Sequence, residues 1–133
     1  MTFRTLLITK AVVCLVFGLF LLVAPGTLLG LLGATLTEGG KFTAREYGAA
    51  MMGTLFLTWF AKRVSAPDAR KAILLDLLVY DFIGMVVTLW VVITQVLNVL
   101  GWGIVVVYLF FTAGSAYLLL KEKLFRRVQE KQV

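Results

Sequence analysis

The sequence predicts an all-α integral membrane protein, a four-helix bundle with both termini in the cytoplasm. Three observations predict this class: the composition, a series of long apolar runs and the placement of the basic residues. Of the 133 residues, 61% are hydrophobic and 15% are charged, and the mean hydropathy is +0.98. A soluble domain is usually about half apolar and about a quarter charged, so this excess of apolar residues indicates a membrane protein.

The composition also excludes several kinds of site. The chain contains no histidine and a single cysteine, Cys14, which rules out histidine-ligated metals, a histidine general base and a disulfide within the chain. No phosphate-binding glycine motif is present. We therefore expect no cofactor, no metal site and no catalytic residue. The net charge of +6 comes from basic residues that flank apolar runs, which favours contact with membrane lipids and gives no reason to expect a nucleic-acid partner.

The first predicted helix spans residues 6–24 and stops at Pro25-Gly26. Its nineteen residues would cover about 28 Å, close to the thickness of the hydrocarbon core. A cleavable signal peptide is a poorer interpretation, because position −3 would be Leu22, which is not small, and Pro25 would follow the cut. The segment 27–40 is glycine-rich and too short to span, so we expect it either at the outer interface or re-entrant.

The second helix is predicted over residues 43–61. Thr43 and Glu46 have the spacing of a capping box, and Ala49 and Gly53 form a small-residue pair suited to close helix contact. A third helix is predicted over 69–97 and a fourth over 104–120. The basic tail 121–133 is expected to be amphipathic and to lie near the headgroups, with Leu124, Phe125 and Val128 on one face.

The basic residues favour one orientation. Eleven of them would lie on one side of a four-helix topology, and only Lys41 and Arg45 on the other. The positive-inside rule places the richer side, with both termini, in the cytoplasm. The eleven are Arg4, Lys10, Lys62, Arg63, Arg70, Lys71, Lys121, Lys123, Arg126, Arg127 and Lys131.

Two carboxylates lie within the third apolar run. Asp76 and Asp81 are five residues apart and therefore point about 140° apart on a helix, whereas Asp76 and Tyr80 share a face. Because Lys10 would lie at a similar depth, we expect it to pair with Asp76 or with Asp81 across helices. The alternative is that these carboxylates are protonatable groups in a solute or proton pathway.

On the opposite side of the membrane, Arg45 and Glu46 are predicted as an outer-face pair at the start of the second helix. They could instead line a vestibule together with Tyr47. Cys14 and Ser115 lie among apolar or small residues, and we interpret both as packing residues.

The order of these parts resembles that of small bacterial four-helix membrane proteins of the DoxX-like type. The first helix ends in Ala24-Pro25, and a Gly/Leu-rich segment follows. The sequence 44–50 (AREYGAA) then opens the second helix, 59–62 (WFAK) closes it, and a charged turn leads to two more helices. The resemblance implies a four-helix bundle in the bacterial inner membrane, and it assigns no catalytic residue.

Two functions remain open at this point. The first is a non-enzymatic accessory, assembly or scaffolding component that associates with itself or with other membrane proteins. The alternative is an oligomeric transporter or channel for a small solute or protons, with Asp76 and Asp81 in its path.

Overall fold

A computed structural model describes the backbone of residues 1–130 and the side chains of residues 1–123. The described chain is all-α, which confirms that part of the predicted fold class. Three helices are long and apolar enough to cross a membrane, judged by length and composition: Phe3–Val23, Pro67–Ile93 and Gly101–Lys123. The described residues form five helices: α1 (Phe3–Val23), α2 (Pro25–Leu31), α3 (Glu38–Ala61), α4 (Pro67–Ile93) and α5 (Gly101–Glu130).

Local chemistry explains where α1 begins and ends. The hydroxyl of Thr2 caps the helix by accepting a hydrogen bond from the backbone N–H of Thr5, at 3.1 Å. The helix stops at Val23 because Pro25 cannot continue it, and Pro25 instead occupies the first turn of α2. The segment 27–40, predicted only as interfacial or re-entrant, thus includes residues 27–31 of the seven-residue helix α2 and the first residues of α3.

The predicted cap of α3 at Thr43 is wrong. The helix begins five residues earlier, because Thr37 accepts a hydrogen bond from the backbone N–H of Gly40 at 3.1 Å. Thr43 lies inside the helix, where its hydroxyl donates to the Gly39 carbonyl oxygen at 3.1 Å. An interior threonine commonly bonds back to the preceding turn in this way.

The connection between α4 and α5 is longer than the sequence suggested. Helix α4 ends at Ile93 rather than near Leu97, and Gln95 adopts a left-handed backbone conformation with φ of 60°. Helix α5 begins at Gly101. A Cβ at Gly101 would approach Cγ2 of Val92 to 2.7 Å, so the close return of the chain depends on glycine at this position.

The helices pack as two pairs, α1 with α3 and α4 with α5. Gly18 and Gly48 let the backbones of the first pair approach closely: a Cβ at Gly48 would lie 2.9 Å from the Gly18 carbonyl oxygen. The predicted small-residue pair at Ala49 and Gly53 is not used within the described chain, because both residues are exposed and nothing lies within 4 Å of a Cβ built at Gly53.

An apolar core joins the two pairs at one end of the bundle. It brings the first turns of α1 and the C-terminal end of α3 against the first half of α4 and the middle of α5. Arg70 also lies at this end, where it bonds Glu122 at 2.7 Å and lies 4.3 Å from the ring centroid of Phe3. The core residues are Phe3, Leu6, Leu7, Ala61, Leu74, Leu77, Phe111 and Leu118.

The backbone of α5 continues past Leu120 to Glu130. The amphipathic face predicted from Leu124, Phe125 and Val128 lies outside the residues whose side chains are described.

Candidate functional site: a buried ion pair beneath a tyrosine-lined cavity

A buried ion pair links the two helix pairs. Nζ of Lys10 on α1 donates a hydrogen bond to Oδ1 of Asp81 on α4. Lys10 is 4% exposed and Asp81 is fully buried. The sequence left Asp76 and Asp81 open as partners of Lys10; the structure joins Lys10 to Asp81, and Asp76 is exposed on another face of α4.

Aromatic rings complete the surroundings of Lys10. Its ammonium nitrogen lies 4.9 Å from the ring centroid of Tyr80 and 4.6 Å from that of Phe111. A cation held at these distances over a ring face is attracted by the ring quadrupole, more strongly when water is excluded. The second carboxylate oxygen of Asp81, Oδ2, is buried and has no hydrogen-bond partner among the described residues. Neutralisation of Asp81 therefore depends on Lys10.

A cluster of three tyrosine hydroxyls lies next to the ion pair, and one of its members is Tyr80, whose ring faces the Lys10 ammonium. The hydroxyl of Tyr47 on α3 is hydrogen-bonded to those of Tyr80 on α4 and Tyr108 on α5, the latter at 2.8 Å. The sequence pointed to Tyr80 through its spacing from Asp76, and to Tyr47 as a possible vestibule residue. It did not single out Tyr108, although a tyrosine within an apolar helix carries a hydroxyl that needs a partner.

One glycine makes this tyrosine cluster possible. A Cβ at Gly84 on α4 would lie 2.7 Å from Cζ of Tyr108. The ring of Tyr108 therefore lies directly against the α4 backbone, and this position carries its hydroxyl to Tyr47. A glycine facing a large aromatic residue on the paired helix is the local signal that could have indicated Tyr108.

The ion pair and the tyrosine cluster border a cavity of about 670 Å³ between the helices. Most of its wall is apolar, and Lys10 alone is charged among the described residues that line it. The polar side chains on the wall are the three tyrosines, Lys10, and the hydroxyls of Thr35, Thr43 and Thr88. This volume lies within the range of about 300–1,000 Å³ that is typical of small-molecule sites, and so does the pattern of a few polar groups in an apolar wall.

A cap segment, defined as residues 25–36, contributes to the end of the cavity away from the apolar core. It is attached to the loop before α5 through Asn98, whose backbone N–H donates to the Leu32 carbonyl at 2.7 Å and whose side-chain Nδ2 donates to that of Leu31 at 2.8 Å. Gly33, with φ of +88°, lies against Asn98, where a Cβ would come within 3.1 Å of the Asn98 Cβ. Only glycine readily adopts this conformation so close to a neighbour.

Arg45 and Glu46, predicted as an outer-face pair, have different surroundings from those expected. The Nε of Arg45 donates to the Leu22 carbonyl oxygen near the end of α1, at 3.3 Å. Arg45 and Glu46, both in the described part of the chain, do not form an ion pair with one another. Neither lines the cavity, whereas the neighbouring Tyr47 does. A helix turns about 100° per residue, which separates Tyr47 from the two charged side chains before it.

Cys14 and Ser115, which the sequence predicts as packing residues, are both buried. Cys14 is buried with a free thiol and lies on the cavity wall. Ser115 is fully buried, and its hydroxyl has no partner among the described residues. Across the described residues, no group of three or more His, Cys, Asp and Glu side chains could hold a metal ion. The arrangement as a whole presents hydroxyl groups to an apolar space.

No family model, curated protein or solved structure shows significant similarity to this chain.

Proposed function

We propose that the chain is a small polytopic membrane protein that acts as a non-enzymatic accessory, assembly or scaffolding component of a membrane complex. The observation that carries this proposal is the ion pair between Lys10 and Asp81. Both groups are buried and each neutralises the other, which supports a structural link between helix pairs. The order of parts that resembles DoxX-like proteins supports a bacterial inner-membrane location.

The outer face of α3 offers a place for a partner helix. Ala49 and Gly53 are exposed and four residues apart, and the space around Gly53 is open. Small residues at this spacing let another helix approach closely in a membrane, where packing rather than the hydrophobic effect drives association. The proposed partner is a second copy of this chain or another membrane protein.

Gly53→Leu tests this proposal. Apart from the adjoining backbone of α3 itself, nothing lies within 4 Å of a Cβ at this position, so folding should be preserved while helix–helix contact is blocked. Native mass spectrometry after gentle extraction should show fewer higher assemblies for Gly53→Leu than for the wild type. The matched control is Val87→Leu on the exposed face of α4. A wild-type protein that is monomeric and free of partners would contradict the proposal.

We further propose four membrane spans, with residues 43–61 of α3 as the fourth, and both termini in the cytoplasm. Two observations support this topology. The apolar core places the start of α1, the end of α3 and the start of α4 at one end, which is the end near Lys62, Arg63 and Arg70. Lys41 and Arg45 lie at the start of α3, away from that core. Positive residues mark the cytoplasmic side.

Cysteine labelling tests the topology. Single cysteines at Gly39 and at Gln129, in a Cys14→Ala background, should react with a membrane-impermeant maleimide from opposite sides of the membrane. Labelling of both positions from the same side would overturn the proposal of four spans.

A transporter or channel remains the second proposal, because Lys10 borders the cavity and Oδ2 of Asp81 has no partner among the described residues. Asp76, which the sequence predicts in the same path, is exposed and does not line this cavity. The double variant Lys10→Met with Asp81→Asn, which leaves no buried charge uncompensated, should abolish a proton-coupled or ion flux into vesicles, whereas a scaffolding protein should keep its partners.

A further inference from the structure

One hydroxyl proton of the tyrosine cluster has no acceptor among the residues whose side chains the structure describes. Tyr47, Tyr80 and Tyr108 carry one O–H each, and two hydrogen bonds join them. Each bond uses one proton, so one of the three remains free to be donated. The cluster lines the cavity, and a phenolic O–H that faces an apolar space without a partner is costly. An acceptor oxygen on a bound molecule would satisfy it.

The charge of the wall limits what that molecule can be. Lys10 is the sole charged residue among the described residues that line the cavity, and its ammonium is bonded to Asp81 and lies over the rings of Tyr80 and Phe111. The pair is neutral as a unit. An anionic head group would have to compete with Asp81 for Lys10 or remain uncompensated in an apolar space, and both are unfavourable. The wall therefore favours an uncharged ligand.

The volume and the apolar wall of the cavity indicate what the rest of the bound molecule is. Apolar residues from the cap segment, α1 and α5 form much of the cavity wall, among them Leu28, Phe17 and Val107. The cavity volume of about 670 Å³ suits one molecule rather than a layer of lipid. We propose that this cavity binds a neutral single-chain lipid whose head-group oxygen accepts the free phenolic proton of the tyrosine cluster and whose alkyl chain lies along the apolar wall. This site goes beyond the proposed scaffolding function and does not depend on it.

Competition with a photoreactive probe tests the site. The full chain, in phosphatidylcholine nanodiscs, is illuminated with a monoacylglycerol that carries a diazirine in its alkyl chain, and the adducts are mapped by mass spectrometry. We expect saturable labelling of cavity residues such as Cys14 and Met51. Monoolein should compete, and 1-octadecene, which has the chain without the oxygen, should compete about three- to tenfold less well, as expected for one neutral hydrogen bond.

Counting the protons gives a sharper test among variants. Tyr80→Phe removes one hydroxyl and one internal hydrogen bond together, so one free proton remains and the preference for monoolein over octadecene should persist. The triple variant Tyr47→Phe, Tyr80→Phe and Tyr108→Phe has no hydroxyl left, and this preference should fall to about one while the cavity keeps its volume. Tyr117→Phe, an exposed tyrosine outside the cavity, is the matched control and should behave as the wild type.

Ala44→Phe provides a second measurement if the triple variant does not fold. Ala44 lines the cavity, and a phenyl group there should reduce saturable labelling without touching the hydroxyls. Three results would overturn the proposal: octadecene competing as well as monoolein in the wild type, oleate competing better than monoolein, or labelling confined to outward-facing residues such as Val87 without competition.

Discussion

Gly84 on α4 lies directly against the ring of Tyr108 on α5: a Cβ at Gly84 would lie 2.7 Å from Cζ of the tyrosine. The absence of a side chain at Gly84 lets the Tyr108 hydroxyl reach Tyr47, 2.8 Å away. The first prediction rests on this relationship.

Gly84→Ala should displace the Tyr108 ring and weaken its hydrogen bond to Tyr47. We expect the free energy of unfolding to fall by about 1–3 kcal/mol, as for other overpacked sites. Gly53→Ala is the matched control, since its Cβ meets nothing within 4 Å, and it should be neutral or stabilise by up to about 1 kcal/mol through helix propensity. Denaturant titration in mixed micelles measures both variants, and equal effects would contradict the tight contact.

The ion pair predicts a double-mutant cycle that is not additive. Lys10→Met leaves the buried Asp81 uncompensated, which should cost about 3–5 kcal/mol of stability. Adding Asp81→Asn removes the stranded charge and should recover part of that loss. Lys10→Met with Asp76→Asn is the control, and it should recover nothing because Asp76 is exposed and is not the partner of Lys10. If Asp76→Asn, and not Asp81→Asn, restored the free energy of unfolding, the partner of Lys10 would be Asp76.

The hydrogen bonds that Asn98 donates to the cap segment should limit how often that segment opens. Asn98→Asp keeps a side-chain oxygen to accept the hydrogen bond from the backbone N–H of Leu100, which is 2.9 Å in the wild type, but it loses the Nδ2 donor to the Leu31 carbonyl. We expect hydrogen–deuterium exchange to become faster over residues 30–36 and to stay unchanged in α1. Unchanged exchange in the cap segment would mean that the backbone bond from Asn98 to Leu32 holds it alone.

The contribution of Glu38 to stability should depend on pH. This residue lies outside the proposed membrane spans. The ammonium of Lys41 donates a hydrogen bond to its carboxylate at 2.6 Å and lowers the pKa of Glu38 below the ordinary value of a glutamate. Because the folded-state pKa is the lower one, this contact stabilises the fold above the unfolded-state pKa, and its contribution is lost as the pH falls through the folded-state pKa. The carboxylate is solvent-exposed, so the effect on stability is small.

An NMR titration of the Glu38 side chain measures this shift. Lys41→Gln should raise the midpoint towards the ordinary value of a glutamate, and Lys41→Arg should leave it low. An identical midpoint in all three proteins would contradict the assigned cause.

Local residue chemistry was sufficient for much of the fold. The apolar composition and run lengths predicted helices suited to a membrane, and Pro25 was predicted to end the first helix. The start predicted at residue 69 lies two residues inside α4, because Pro67 fits the first turn of a helix, as Pro25 does in α2. The cap of α3 was predicted at the wrong threonine because Gly39 and Gly40, which follow Thr37, have low helix propensity, whereas Thr43 is followed by Glu46 at the spacing of a capping box.

Which face of each helix turns inward was decided by tertiary structure. Helix α4 is apolar around most of its circumference, so its periodicity does not distinguish Asp76 from Asp81. Packing buries Leu74, Leu77 and Asp81, which lie along one side at helical spacing, and leaves Asp76 outside. Lys10 could therefore be predicted to need an acidic partner, but the choice of Asp81 required the rotation of α4.

The tyrosine cluster is the feature that depended most completely on tertiary structure. Its three hydroxyls come from three different helices, at positions 47, 80 and 108, and no local spacing relates them. The sequence by itself determined that each hydroxyl in an apolar helix needs a partner, since an unpaired polar group in such surroundings is costly. Only the close packing of Tyr108 against Gly84, and the approach of α3 to both partners, decided that the three would satisfy one another and leave one proton for the cavity.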